Sequence, residues 1–152
     1  MAPRQDEGQH QHQQSHHQHR RHVSTGTPYE ATVGYSRAVR VGNVVHVAGT
    51  TAIDEHGAVV GAGDAYRQAA YVLTKIEAAL AALDATIGDV VRTRMFVTDI
   101  ANWEGIARAH GERFADVRPA ATMVEVTRLI DPAMLVEIEV EAIVGERVTG
   151  KG

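Results

Sequence analysis

The chain contains no cysteine, which excludes disulfides, thiolate nucleophiles and Cys-ligated zinc. Lysine is nearly as scarce, with only Lys75 and Lys151, and the formal net charge is −4. There is no sustained basic track for RNA or DNA, and with 5% aromatic residues no platform on which bases would stack. No run approaches the ~20 apolar residues that span a bilayer, and the first residues lack the apolar core of a secretory signal. The expectation is a cytoplasmic protein with neither nucleic acid nor membrane as partner. What is present is aliphatic: 44% of the 152 residues are hydrophobic, enough for one ordinary domain with a real core.

Residues 1–24 are Gln/His-rich with almost nothing apolar to bury, and are expected to be disordered. His10, His12, His16, His17, His19 and His22 lie there and would hold zinc, nickel or copper only loosely, because no second shell can form around them. No resident metal is expected. Residues 147–152 are likewise assigned to a disordered end, leaving 25–146 as the folded domain.

The folded part opens with two short strands, Ala38–Val41 and Val44–Ala48, around a Gly42-Asn43 turn that tolerates positive φ. Gly57 suggests another turn, leading to a short edge strand by Val60. Asp64 can cap a helix through Leu83, since Ala69, Leu73, Ile76, Leu80 and Leu83 fall at spacings of four and three. Val90–Val97 is a β-branched strand, and a second helix begins after Asn102 with Trp103, Ile106, Ala107 and Phe114 on its apolar stripe. From Pro119 to Val144 two alternating strands are expected to pair as a hairpin across Asp131-Pro132. In the second, Val136, Ile138, Val140, Ala142 and Val144 face one way while Glu137, Glu139 and Glu141 face the other. Like charges in a row repel unless water, cations or another chain relieves them, so that face is the candidate for function. The order predicts an α+β layer in which both helices cover one face of a mixed sheet and the other face packs on another subunit. His46 is expected to be a packed residue, and Trp103 and Phe114 core.

Several segments, taken in order, resemble one known family: Gly34-Tyr35-Ser36-Arg37-Ala38-Val39, Val41-Gly42-Asn43-Val44-Val45-His46-Val47-Ala48-Gly49, Asp89-Val90-Val91-Arg92, Phe96-Val97-Thr98-Asp99, Arg118-Pro119-Ala120, Val124-Glu125-Val126 and Leu135-Val136-Glu137-Ile138-Glu139. The family is the RidA/YjgF/UK114 group of reactive-intermediate deaminases, also called endoribonuclease L-PSP proteins, and the resemblance covers Tyr35 to Val144. It implies a chorismate-mutase-like α+β fold in a homotrimer with small-molecule clefts between subunits. It also implies cofactor-independent hydrolysis of 2-imino or enamino acids to 2-keto acids and ammonia, as in 2-iminobutanoate/2-iminopropanoate deaminases. Carried onto this chain, the water-placing glutamate is Glu137, and Tyr35, Gly49, Ala121 and Met123 line the substrate cleft.

One position departs from the family. Its P-A-R pattern, whose arginine clamps the substrate carboxylate, reads Pro119-Ala120-Ala121 here. Arg94 and Arg37 are candidates for a relocated anion anchor, the alternative being that they neutralise the acidic row. Arg118, preceding proline at the strand entry, is expected to face away. Two readings stay open: a hydrolase of labile imines or enamines, and a non-catalytic ligand-binding or partner-binding trimer on the same scaffold.

Overall fold

Aliphatic alternation builds a sheet, and helical periodicity covers it on one side. The computed structural model describes residues 19–145. Six strands form one mixed sheet in the order β1-β2-β3-β6-β4-β5: β1 Arg20–Val23, β2 Ala38–Val41, β3 Val44–Thr50, β4 Val90–Val97, β5 Ala120–Glu125 and β6 Val136–Ile143. Neighbours are antiparallel except β4 and β5, which run parallel. The helices are α1 Pro28–Val33, α2 Ala65–Ala82 and α3 Trp103–Phe114. Asp64 caps α2 as expected, its carboxylate accepting from the Arg67 amide at 3.0 Å.

The core lies between α2 and α3 on one side and the helix-facing residues of β3, β4 and β6 on the other. Leu73, Ile76 and Leu80 of α2, Ile106 and Phe114 of α3, and Val136, Ile138 and Val140 of β6 are all buried; a large aliphatic side chain so buried contributes about 1.5–3 kcal/mol. The α+β arrangement with both long helices on one face follows from the sequence pattern. Six details do not.

The last two strands are not a hairpin. β4 lies between β5 and β6, and β5 joins β4 in parallel through α3, because a strand that returns through a helix can run alongside its predecessor. Alternation made both segments strands without naming their partners. At the N-terminus, Arg20–Val23, within the stretch expected to be disordered, extends the sheet by pairing with β2, His22 opposite Val39; residues 1–18 and 146–152, the rest of the two ends expected to be disordered, lie outside the described residues. Arg21 anchors β1 to Asp84 at 2.8 Å, and Val23 packs against the core. The expected edge strand near Val60 is a turn closed by an isolated Ile53–Val59 bridge, because the Asp54 carboxylate accepts from the His56 and Ala58 amides, each at 2.9 Å. Trp103 opens α3 one turn before the first buried position and is 51% exposed, whereas Phe114 is core. His46 is exposed on the uncovered face rather than packed.

The unforeseen α1 is held by a buried acid. Glu30 is 5% exposed; its carboxylate accepts from Thr25 and Thr27 through both their amides and their hydroxyls, at 2.7–3.2 Å. Burial alone would raise its pKa, but these hydrogen bonds bring it down to about 2. On α2 the fully buried Gln68 ties two loops together: its amide nitrogen donates to Gly61 O (3.3 Å) and Ala133 O (2.8 Å), and its oxygen accepts from Leu135 N at 2.8 Å. That clamp sets the entry to β6.

Gln68→Ala should destabilise the fold by about 2–4 kcal/mol in urea titration, since it strands buried backbone groups and leaves a cavity. For Glu30, a folded pKa below the ordinary carboxylate value contributes stability that is present above that ordinary value and lost as pH falls through it toward about 2. Glu30→Gln should therefore flatten the acid limb of a stability-against-pH curve; an unchanged limb would exclude this role.

Candidate functional site

Burying Val136, Ile138, Val140 and Ala142 of β6 obliges Glu137, Glu139 and Glu141 to share the uncovered face. The neighbouring strand answers that charge in register: Arg94 stands opposite Glu139, Arg92 opposite Glu141, and Phe96 opposite Glu137. Arg94 Nη1 lies 3.1 Å from Oε1 of both Glu139 and Glu141, and Arg92 Nε is 3.8 Å from Glu141 Oε2. Arg94 is thus engaged within its own chain. Glu137, facing a phenylalanine, receives no cation from β4, and no side chain or amide among the described residues donates a hydrogen bond to it.

What Glu137 meets instead is the end of β3. Between Val47 and Thr50 the β3–β6 register shifts, a bulge that re-aims the strand, and Gly49 sits within it. A Cβ at position 49 would run into Glu137 Oε1, with Cδ at 3.0 Å, so only glycine leaves this carboxylate its place. Burial pushes the Glu137 pKa up, Arg37 draws it down and Glu139 pushes it up again; the net shift is upward.

Arg37 comes from the segment that α1 delivers. Gly34 closes α1 in the left-handed conformation at φ 83°, and the Tyr35 amide donates back to Glu30 O at 3.0 Å. Arg37 Nη1 then donates to Gly49 O and Thr50 Oγ1, each at 2.8 Å, and Nη2 lies 3.4 Å from the Tyr35 hydroxyl. The guanidinium carbon is 5.6 Å from the Tyr35 ring centre. Its Nε makes no hydrogen bond among the described residues, so one edge of the fork stays available. Tyr35, Arg37, Gly49, Thr50 and Glu137 therefore form one constellation. Lys75 of α2 supports it from below, donating to Thr51 O (2.9 Å) and Ile53 O (2.8 Å). Burial first and Arg37 second lower the Lys75 pKa. The sequence argument missed Lys75, although a lysine on the inner half of an amphipathic helix in a lysine-poor chain was a usable signal.

Ala121 and Met123 do not join this group within a protomer. They stand beside Thr93 and Met95 of β4, both buried on the helix-covered side, so their side chains belong to the face opposite Glu137, two strands away. Beside Ala121, Thr93 Oγ1 is hydrogen-bonded to His110 Nε2 at 2.8 Å. Arg118 sits in the turn before β5, exposed, with a left-handed φ of 53°. Among the described residues no group of three or more His, Asp or Glu side chains is placed to hold a metal ion.

The family described as Endoribonuclease L-PSP matches residues 25–144. Rv2704 of Mycobacterium tuberculosis, whose crystal structure is described as that of a member of the YjgF/YER057c/UK114 family, is 47% identical, with a TM-score of 0.75 over 83% of this chain and 100% of that one. SCO2049 of Streptomyces coelicolor is 38% identical across 80% of this chain and 90% of its own length. RutC of Acinetobacter baylyi, named 3-aminoacrylate deaminase, is 34% identical over 74% of this chain and 88% of its own. A family match across nearly the whole described chain, together with relatives above 30% identity and the same mixed sheet under paired helices, establishes the assignment: this chain belongs to the endoribonuclease L-PSP family, the RidA/YjgF group.

Proposed function

We propose that the protein is a cofactor-independent hydrolase of small, labile imines or enamines, with Glu137 placing the attacking water. The observation that carries this reading is the state of Glu137: a half-buried carboxylate of raised pKa, with no hydrogen-bond donor among the described residues, facing a glycine that leaves room beside it. A carboxylate so desolvated is a stronger base than one in water and holds its water by hydrogen bonds the protein does not already supply. Water adds to the C=N carbon while Glu137 accepts its proton; the proton passes to nitrogen, and collapse of the carbinolamine gives a carbonyl compound and ammonia. Arg37 is the anion anchor of this scheme, since its Nε edge is unspent and it stands close enough to Glu137 to lower that group's pKa. Support from relatives comes through RutC, a named deaminase at 34% identity.

Because Ala121 and Met123 lie on the face and edge away from Glu137, a cleft that includes them takes them from a second copy of the chain. This is the arrangement of a homotrimer with sites between its subunits, working in the cytoplasm. A second reading, a non-catalytic binding trimer, is favoured by one observation: the position at which the family's clamp arginine stands is Ala121.

The test is release of ammonia and keto acid from a freshly generated 2-imino acid. Glu137→Gln should lower turnover by about 10²–10⁴-fold, the usual contribution of a positioned acid–base group. A silent wild type would favour the binding reading, and a monomer in sedimentation at micromolar concentration would remove the shared cleft. The raised pKa makes a second prediction. A carboxyl group whose folded pKa exceeds its unfolded value contributes stability that is present below the unfolded value and lost as pH rises through the folded one. Glu137→Gln should therefore melt at higher temperature than wild type at pH 7 and at the same temperature near pH 3; equal melting at both would show the carboxylate to be well solvated.

A further inference from the structure

We propose that Lys75 is a positioning residue that keeps Arg37 from closing onto Glu137, by pinning the end of β3 to which Arg37 is bound. This deepens the hydrolase reading, in which Arg37 anchors an anion and Glu137 places water, and it rests on that reading for its catalytic meaning.

The geometry begins at Gly49. Its carbonyl accepts from Arg37 Nη1 at 2.8 Å, and its missing Cβ is what leaves the Glu137 carboxylate room. Cation and acid are therefore neighbours across one residue, yet no ion pair joins them among the described residues. Opposite charges so placed close on each other unless other acceptors hold the cation. Here those acceptors are Gly49 O and Thr50 Oγ1, from the last two residues of β3. The Thr50 hydroxyl is itself fixed, donating to Ala48 O at 2.8 Å. Pairing of β3 with β6 ends at Thr50, opposite Ile138, so the residues that follow have no partner on β6. Lys75 supplies the substitute: from α2 its ammonium donates to Thr51 O at 2.9 Å and to Ile53 O at 2.8 Å, on either side of the fully buried Ala52.

A lysine is a costly way to satisfy two loop carbonyls. It is half-buried, no carboxylate among the described residues pairs with it, and the charges that act on it are Arg37, which repels it, and Asp54, which attracts it. Water would serve such carbonyls without burying a cation beside another cation. What water would not do is tie the chain just past Gly49 and Thr50 to a rigid helix. Without that tie the end of β3 loosens, its two acceptors drift from Arg37, and the guanidinium turns to Glu137. An ion pair there would remove the anchor and the base together.

The experiment titrates Glu137 by ¹³C NMR in full-length protein labelled at the glutamate carboxyl carbon, its signal assigned by loss in Glu137→Gln. The charged groups that act on Glu137 are Arg37 and Glu139. Lys75→Met should shift the Glu137 midpoint downward from that of wild type, because the released Arg37 stabilises the carboxylate. The sign separates this from simple electrostatics, since the loss of a nearby cation would by itself move the midpoint upward. Arg37→Met should move it upward, and adding Lys75→Met to Arg37→Met should change nothing further. A midpoint that is unmoved or raised in Lys75→Met overturns the inference. So does a lowering that persists in the Arg37→Met background, which would report solvent entering a loosened fold. If Lys75→Met does not fold, Lys75→Leu takes its place with the same expectation. The titration uses no substrate, so this inference and the hydrolase reading fail separately. Where the imine assay is active, Lys75→Met should lower kcat/KM about tenfold or more, and an unchanged value overturns the inference; where the assay is silent, the titration alone decides.

Discussion

A strand cannot bury every second residue on one side without lining up the others on the opposite side, and β6 makes that constraint the centre of this protein. It lies between β3 and β4, so both edges are paired, and its Val136, Ile138, Val140 and Ala142 are the floor on which α2 and α3 rest. The necessary counterpart is a row of three carboxylates on the uncovered face. Two are neutralised by arginines of β4 standing directly opposite. The third is not, because the register that gives Glu139 and Glu141 their arginines gives Glu137 a phenylalanine. One phase of alternation thus produces both the core and the single unpaired acid.

The surroundings of Glu137 show how such a group is kept without an ion pair at its own charge. Arg37 is near enough to depress its pKa yet is held elsewhere, on Gly49 O and Thr50 Oγ1. Burial prevails over that attraction, and the carboxyl remains harder to ionise than usual. The arginine's position is fixed by a succession of local rules: Glu30 caps α1, Gly34 ends it in a left-handed conformation that costs glycine little, and Tyr35 and Arg37 follow from that turn. The bulge at Gly49 removes the Cβ that would collide with the acid. Stability is given up at Glu137 and recovered around it.

Much of this was visible in the amino-acid order, and the rest was hidden for identifiable reasons. Periodicity is a local property, so α2, α3, the β2–β3 turn and the two faces of β6 could be read directly. Partnership between strands is not local: Ala120–Glu125 alternates well, but nothing in it states that β4 would be its neighbour in parallel. That single gap gave β5 the wrong neighbour, β6 in place of β4. Arg20–Val23 was concealed by composition, since a strand reading Arg-Arg-His-Val is hard to separate from the histidine-rich stretch before it; pairing with β2 and the Arg21–Asp84 bridge supply what its own propensity lacks. Trp103 followed the helical stripe and still lies outside, because a stripe gives an angle around the axis and says nothing about whether the sheet extends beneath the first turn. Lys75 and His110 were overlooked because isolated polar residues within a helical stripe look like its boundary, and only coordinates reveal that each reaches a backbone carbonyl or a buried hydroxyl.

The division of candidate residues between the two faces also keeps position 121 apart from the rest. Tyr35, Arg37, Gly49 and Glu137 depend on one another through hydrogen bonds, a ring contact and a steric limit, so replacing one affects its neighbours. Ala121 is on an edge strand, exposed, and held mainly by backbone pairing with Thr93. A longer side chain there would meet solvent before it met the protomer's own core. Packing is therefore demanding around the acid and loose at the β5 edge. A substitution can be absorbed at the β5 edge while Glu137 and its supports stay as the β6 register sets them.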